Sequence, residues 1–290
     1  MLRWRLLLGT VFIALLVALV WIDLNGVAGY ARPGMALLPL ALVLAVGGTQ
    51  EFLSMVRTRE PNIAACPIYF GNLAIVAAAG WADERHAGAW QLAALAAALL
   101  LVVLTEIFRY DKDVSKQVTE RLGLSVLGLV YVGFLMSFIV RLRLVAGGAT
   151  IVPLVSMLVV VKLADIGAYT VGRLIGRHKM APKLSPGKTW EGLAGGVLFS
   201  LIGGTVVAWR TGLLVADEQF QPAVLTTWIA YAVVVGLTGT AGDLIESLLK
   251  RDFGRKDSST WMPGFGGVLD LIDSPLLAAP AAWAFWTWWM

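Results

Sequence analysis

Residues 88–108, GAWQLAALAAALLLVVLTEIF, form an apolar run that contains a single charged residue, Glu106. A helix needs about 20 apolar residues to cross the hydrocarbon core of a bilayer, so this run is long enough to span a membrane. We interpret it as a transmembrane helix, and similar runs recur on both sides of it.

Eight further apolar runs follow the same pattern along the chain. They lie at residues 6–21, 35–48, 67–82, 122–141, 150–172, 192–209, 226–248 and 272–290. The run at 35–48 is the shortest, and a tilted or re-entrant segment is the alternative there. We therefore predict an all-α fold, a polytopic membrane helical bundle with about nine transmembrane helices.

The first run, residues 6–21, follows Met-Leu-Arg-Trp-Arg and superficially resembles a secretory signal peptide. No clear small-x-small cleavage site closes the run, so we interpret it as the first membrane helix in preference to a cleaved signal.

The composition excludes an ordinary soluble enzyme. Hydrophobic residues make up 58% of the 290 residues and charged residues 14%, with a mean hydropathy of +0.77. Soluble domains have about 45–50% apolar and about 25% charged residues. We predict one integral membrane domain over residues 1–290, in which residues 1–150 supply the N-terminal spans and residues 151–290 contain two charged loops. A single cysteine, Cys66, argues against a disulfide or a cysteine metal site.

The basic residues predict the orientation of the chain. Alternate loops on one side contain 17 Lys and Arg, and those on the other side contain five. Because cytoplasmic loops carry the basic excess, the N-terminus is predicted to be cytoplasmic and the C-terminus external. We attribute the net charge of +4 to membrane orientation and to binding of an anionic substrate, and we expect no nucleic acid partner. Tryptophans at the predicted external span ends, and four near the C-terminus, are predicted to anchor the membrane interface; among them are Trp228 and Trp286.

The loop at residues 183–196, KLSPGKTWEGLAGG, has a composition suited to phosphate binding. Ser185-Pro186-Gly187 predicts a turn, and Lys188-Thr189 precedes a helix that begins near Glu191. Free N–H groups at a helix N-terminus favour anions. The run is not a Walker loop, because Pro182 stands where its first glycine would be, and a plain capped turn remains an alternative.

The strongest group of polar residues lies in residues 242–273, GDLIESLLKRDFGRKDSSTWMPGFGGVLDLID. Asp243, Ser247 and Lys250 fall at i, i+4 and i+7 and share one helix face. Lys250-Arg251 and Arg255-Lys256 place four cations within seven residues. Pro263-Gly264 and Gly266-Gly267 predict a glycine-rich turn with an irregular backbone, which can approach a ligand closely and donate N–H groups to it.

Asp270 and Asp273 follow at i,i+3 spacing, and with Asp243 they predict a cluster of three carboxylates. Mg²⁺ prefers carboxylates completed by substrate phosphates and water. We therefore predict Asp243, Asp270 and Asp273 as ligands of Mg²⁺, with one ion or two left open. The alternative is that one aspartate only caps the last helix.

Asp165 lies inside the predicted span 150–172, with Lys162 three residues before it. Acids inside a span are costly and commonly functional. A structural Lys162–Asp165 pair and a substrate or metal role both remain open.

These residues resemble the signature of phosphatidate cytidylyltransferases, also called CDP-diglyceride synthases. The matching positions are Ser247, Lys250-Arg251, Lys256-Asp257, Ser259, Pro263, Gly266-Gly267, Asp270 and Asp273. The run from Asp165 through Arg173 to Ser185-Pro186-Gly187-Lys188-Thr189 is also similar to that family, so the resemblance covers about residues 160–275. Three positions depart from the pattern. Phe265 stands where histidine is usual, Leu271 where arginine is usual, and Met262 where Leu, Ile or Phe is usual.

The resemblance implies transfer of a cytidylyl group from CTP to phosphatidate, which gives CDP-diacylglycerol and pyrophosphate for phospholipid biosynthesis. It implies a metal-dependent site at the cytoplasmic face of a bacterial inner membrane, with CTP, phosphatidate and membrane lipids as partners; a homodimer is left open. On this basis the catalytic residues are predicted as Asp243, Ser247, Lys250, Arg251 and Asp270. The substrate-binding residues are predicted as Lys256, Lys188, Ser185, Arg173, Gly266 and Gly267.

Two other functions remain open at this point. A CTP-dependent lipid kinase would use similar groups but transfer the γ-phosphoryl. A transporter would use Asp165, Asp243 and Glu246 as ion-coupling groups, but the clustering of polar residues in loops of one half disfavours it.

Overall fold

The computed structural model describes residues 2–25, 33–81, 84–110, 117–148, 150–213, 215–216, 219–220, 222–259 and 266–289. Met262, Phe265, and the Pro263-Gly264 pair of the predicted glycine-rich turn lie outside these residues.

Helices account for most of the described chain. They are α1 Leu2–Asn25, α2 Leu38–Val56, α3 Ala65–Trp81, α4 Glu84–Phe108, α5 Val118–Gly128, α6 Leu135–Leu144, α7 Val152–Ile175, α8 Trp190–Arg210, α9 Pro222–Asp252 and α10 Val268–Trp289. A π-helical segment, Leu129–Phe134, connects α5 to α6, so that Val118–Leu144 forms one span. Two short antiparallel hairpins were not predicted: β1 Lys179–Ala181 with β2 Ser185–Thr189, and β3 Val215–Ala216 with β4 Gln219–Phe220. The turn predicted at Ser185-Pro186-Gly187 is wrong, because these residues belong to β2, which pairs with β1, and the turn lies at residues 182–184.

The helices confirm the predicted all-α membrane bundle. Within the described part of the chain, seven helices are long and apolar enough to cross a bilayer, and Ala14–Asn25 and Ala65–Trp81 are shorter apolar helices. Each of the nine predicted spans falls on one of these helices. The protein is therefore an integral membrane protein.

Helix α2 shows where the sequence pattern set a wrong boundary. The apolar run ended at residue 48, but the helix continues to Val56 and is 19 residues long. Glu51 lies inside the added segment with only 4% of its surface exposed. A buried carboxylate is tolerated there because two backbone N–H groups donate to it and the hydroxyl of Ser258 lies 2.9 Å away.

The chain forms two compact units. Unit 1 comprises Met1–Ala149 and Asp252–Ile272, and unit 2 comprises Thr150–Arg251 and Asp273–Met290. The predicted single domain over residues 1–290 stays a prediction.

Unit 1 combines apolar packing with buried polar pairs. Its apolar core includes Ile75 and Val102, which are almost fully buried. Arg121 and Glu106 form an ion pair of 2.8 Å whose side chains are 3% and 4% exposed. The pairing matters because removing one partner would leave an uncompensated charge in the interior.

Unit 2 is organised around the close contact between α7 and α8. A Cβ atom on Gly167 would meet the backbone carbonyl of Gly195, and one on Gly195 would meet the side chain of Val171. Small residues at such crossings let the backbones of membrane helices approach each other. These glycines therefore allow the two helices to pack backbone against backbone.

Two of the tryptophans predicted as interface anchors lie in the core of unit 2 instead. Trp228 and Trp286 are 1% and 0% exposed. Their rings pack edge to face with centroids 5.6 Å apart, and Nε1 of Trp286 donates to Oγ of Ser156 at 3.3 Å. The anchor prediction is wrong for this pair because both rings are buried in the packing of the unit, where Ser156 satisfies the indole N–H of Trp286.

Candidate active site

Three acids come together in unit 2 on helices α9 and α10. Asp243 and Glu246 lie three residues apart on α9, and Asp273 lies on α10. One carboxylate oxygen from each lies within 4.8 Å of the other two. Gly242 permits the approach of the two helices, because a Cβ atom there would meet the backbone carbonyl of Asp273.

Two lysines accompany these acids. Nζ of Lys188 lies 2.8 Å from Oδ2 of Asp243, and Nζ of Lys250 lies 2.5 Å from Oε2 of Glu246. The Lys188 and Lys250 side chains are 19% and 12% exposed. Burial strengthens both ion pairs by limiting the screening by water.

A third lysine and a fourth acid extend the cluster onto α7. Nζ of Lys162 lies 3.5 Å from Oδ2 of Asp165, and both side chains are more than a third exposed. Asp165 and Asp273 each interact electrostatically with Asp243. With Glu246, Lys188 and Lys250, the cluster holds four acids and three lysines, and its formal charge is negative by one. Several charges grouped within apolar helices favour a polar site for an ionic ligand.

The β1–β2 hairpin brings the predicted phosphate-binding loop to this cluster. Lys188 lies in β2, and the Oγ1 of Thr189 accepts a hydrogen bond from the N–H of Gly192 at 3.0 Å, which caps α8. Nε of Arg251, at the end of α9, donates to the carbonyl of Leu184 at 3.5 Å. The structure therefore brings the Ser185–Thr189 strand beside the end of α9, and the phosphate-binding role of this segment stays a prediction.

The predicted substrate-binding role of Arg173 and the predicted catalytic role of Ser247, both in unit 2, stay predictions. Arg173 is exposed at the end of α7, and its Nη1 donates to the hydroxyl of Tyr169 at 2.7 Å. Ser247 lies half-buried on α9, between Glu246 and the exposed Leu248.

The remaining predicted residues belong to unit 1. Gly266 has a positive φ of 83°, and the N–H of Gly267 donates to Oδ2 of Asp270 at 2.8 Å. Oδ2 of Asp270 also accepts from the N–H and the hydroxyl of Ser258, at 3.1 and 2.5 Å. Lys256 is exposed. The predicted ligand-binding roles of Asp270, Lys256, Gly266 and Gly267 stay predictions.

Leu271, which stands where the resemblance has arginine, lies half-buried on α10.

Sequence reasoning missed Glu246 as a candidate ligand and Glu51 altogether. Glu246 lies at i+3 from Asp243, so helical spacing alone could have grouped the two acids. Glu51 carried a weaker signal, an acid at the end of an apolar run in a different half of the chain.

Comparison with known proteins gives the same family as the sequence signature. The model of the cytidylyltransferase family matches residues 3–289. A Staphylococcus aureus protein named phosphatidate cytidylyltransferase is 30% identical over 255 residues, which cover 86% of this chain and 89% of that protein.

Two further relatives with the same name align over shorter segments. The Haemophilus influenzae protein is 42% identical over 128 residues, 44% of this chain and 43% of that protein. The Mycobacterium leprae protein is 40% identical over 133 residues, 45% of this chain and 39% of that protein. These two alignments thus cover less than half of each relative. Because the family model spans nearly the whole sequence and the Staphylococcus aureus relative aligns along most of it, this chain belongs to the cytidylyltransferase family.

Proposed function

We propose that the protein transfers the cytidylyl group of CTP to phosphatidate, giving CDP-diacylglycerol and pyrophosphate for phospholipid biosynthesis. The observation that carries the proposal is the cluster of Asp243, Glu246 and Asp273 with Lys188 and Lys250, held at apolar helices of a cytidylyltransferase-family chain. The names of the relatives supply the two substrates.

The residues of the cluster fit Mg²⁺. Mg²⁺ binds oxygens at about 2.1 Å in octahedral geometry, so opposite ligands lie about 4.2 Å apart. Neighbouring ligands lie about 3.0 Å apart, and the three carboxylate oxygens lie within 4.8 Å of one another, so side-chain movements of about 1–2 Å bring them to these spacings. Asp243, Glu246 and Asp273 would hold the ion, which would neutralise charge on the phosphates and orient them.

The chemical step needs positioning more than proton transfer. A phosphatidate oxygen forms a bond to the α-phosphorus of CTP, and the bond from that phosphorus to the bridging oxygen of pyrophosphate breaks. The second pKa of a phosphate monoester is about 6, so the attacking oxygen is already anionic near neutral pH. The protein therefore needs no general base, and Lys188 and Lys250 act by binding phosphate oxygens and stabilising the leaving pyrophosphate. Ser185, Ser247, Arg173 and Arg251 are proposed to assist on the same substrates. The proposal also keeps the catalytic role predicted for Asp270 and the substrate-binding roles predicted for Lys256, Gly266 and Gly267.

We propose that this site faces the cytoplasm of a bacterial inner membrane. The basic loops support this orientation. CTP is water-soluble and phosphatidate is not, so the reacting groups belong at a membrane edge. A homodimer is compatible with this proposal and is not required by it. Sealed vesicles of known sidedness test the orientation, since CTP added outside is used only by vesicles whose cytoplasmic face is outward.

The decisive experiment follows the label of CTP. Purified protein in detergent is incubated with phosphatidate, Mg²⁺ and CTP labelled at the α-phosphorus, and label in the lipid phase is measured. We expect label in lipid for the wild type, loss of it with Asp243→Asn or with EDTA, and retention with the matched control Asp252→Asn. Asp252 is exposed at the end of the same helix.

Transfer of a γ-label to lipid instead would establish a lipid kinase. Transfer from neither position would overturn the proposal and favour the transporter.

A further inference from the structure

The first turn of α10 is held by an acid from α2, within unit 1. Glu51 is 4% exposed, and its Oε1 accepts a hydrogen bond from the N–H of Val268 at 2.8 Å. Its Oε2 accepts from the N–H of Leu269 at 2.9 Å. The first N–H groups of a helix lack partners within the helix, so an acid placed there fixes the helix end.

The same carboxylate reaches the residues that surround Asp270. Oγ of Ser258 lies 2.9 Å from Oε2 of Glu51 and 2.5 Å from Oδ2 of Asp270. The Asp270 carboxylate also accepts hydrogen bonds from the backbone N–H groups of Ser258 and Gly267. Ser258 therefore links Glu51 directly to Asp270, the predicted catalytic and metal-binding residue.

Close packing of α2 on this segment leaves little freedom. A Cβ atom on Gly48 would lie 3.2 Å from the Leu269 side chain, and a Cβ atom on Gly267 would meet the Glu51 carboxylate. The guanidinium of Arg255 donates to Oγ and to the carbonyl of Ser54, one turn after Glu51, at 3.0 and 2.8 Å. Helix α2 thus contacts Arg255 as well as the Gly267–Leu269 turn.

We propose that Glu51 is a positioning residue for the cytidylyltransferase reaction. It sets the place and orientation of the Gly267–Asp270 turn, and it acts through Ser258 and the backbone of α10. This inference rests on the proposed function and on the catalytic role predicted for Asp270. Neither the sequence signature nor the apolar pattern of the N-terminal half assigns Glu51 a role.

A carboxylate is costly inside an apolar helix, and simple capping does not require one from a distant helix. A serine or aspartate beside the helix start would satisfy the same N–H groups locally. A local cap travels with its own helix, whereas an acid on α2 fixes α10 and Ser258 to a second element. The geometry therefore serves the alignment of Asp270.

The kinetic test uses Glu51→Gln, which keeps the size of the side chain. In the glutamine one carboxylate oxygen is replaced by an NH₂ group, which can only donate. This NH₂ group would face the N–H of either Val268 or Leu269, so one of the two hydrogen bonds is lost. We expect kcat per folded molecule to fall about 10- to 100-fold, the usual effect of losing a group that orients a catalytic residue. The KM for phosphatidate should stay within about twofold, because the lysines that bind phosphate are unchanged.

The matched control is Glu60→Gln, which also replaces a buried acid of unit 1, 1% exposed, with an amide. Ser258→Ala should lower kcat in the same way, and the double variant with Glu51→Gln should be no worse than the poorer single variant. The Ser258→Ala variant keeps the test decisive where Glu51→Gln yields little folded protein. Unchanged turnover in both single variants, or equal loss in Glu60→Gln, would overturn the inference.

A second readout does not depend on activity. Hydrogen–deuterium exchange of the peptide that contains Val268 and Leu269 should be slow in the wild type and about 10- to 100-fold faster in Glu51→Gln, as expected from the loss of hydrogen bonds to a charged group. Equal exchange in the two proteins would refute the positioning role. A wild type that shows this protection but makes no CDP-lipid would instead refute the proposed function alone.

Discussion

Lys188→Gln separates substrate binding from metal binding at the cluster. In the structure Nζ of Lys188 lies 2.8 Å from Oδ2 of Asp243, and we propose that it also binds a phosphate of CTP. A hydrogen bond to a charged partner contributes about 1.5–3 kcal/mol. Since about 1.36 kcal/mol corresponds to a tenfold change in rate, kcat/KM for CTP should fall about 10- to 150-fold.

The same variant should have the opposite effect on the metal. Removing a cation beside Asp243 makes the cluster more negative, so the Mg²⁺ concentration for half-maximal activity should fall rather than rise. The assay is the transfer of α-labelled CTP to lipid, titrated first with CTP and then with Mg²⁺. Lys188→Arg, which keeps the charge, should retain more of the activity than Lys188→Gln.

The control is Lys179→Gln, an exposed lysine in the other strand of the same hairpin. Its kcat/KM should match the wild type. If Lys188→Gln also stays within about twofold of the wild type, the lysine only neutralises Asp243, and the proposed contact with CTP is refuted.

Three further predictions concern the acids and the two cores. Glu246→Gln should lower turnover about 10- to 100-fold and raise the Mg²⁺ requirement, measured by the same titration; an unchanged requirement would remove Glu246 from the metal site. Trp286→Ala should destabilise unit 2 by about 3–5 kcal/mol, seen as a lower unfolding midpoint in detergent, and an unchanged midpoint would contradict its place in the core. Glu106→Gln should destabilise unit 1 by about 3–5 kcal/mol by leaving Arg121 buried without its carboxylate, and Glu106→Gln combined with Arg121→Met should recover part of that loss in the same assay.

The positions of the helices were predictable because membrane spans require long apolar runs, which single sequences display directly. The end of α2 was not predictable, because Glu51 indicates the end of an apolar run unless the groups that donate hydrogen bonds to it are known. Those donors lie more than 200 residues away in the sequence.

The candidate site was predictable where residues share a helix or a motif. Asp243 and Lys188 were identified from local patterns, and the structure places them 2.8 Å apart. Glu246 was overlooked as a ligand because the signature emphasised Asp270, whose partners in unit 1 are Ser258 and Gly267. Local spacing does not reveal which acids of different helices meet.

The glycine contact between α7 and α8 has a consequence for how substitutions are tolerated. The hairpin that carries Lys188 is joined to these two helices at both of its ends, so a shift of one helix against the other would move that lysine. Gly167 and Gly195, which have no side chain and no chemistry, should therefore reject nearly every replacement. Exposed hairpin positions such as Lys179 and Pro182 have room for other side chains. A saturation scan of this region would find its least tolerant positions among the glycines buried between α7 and α8, and not in the exposed hairpin.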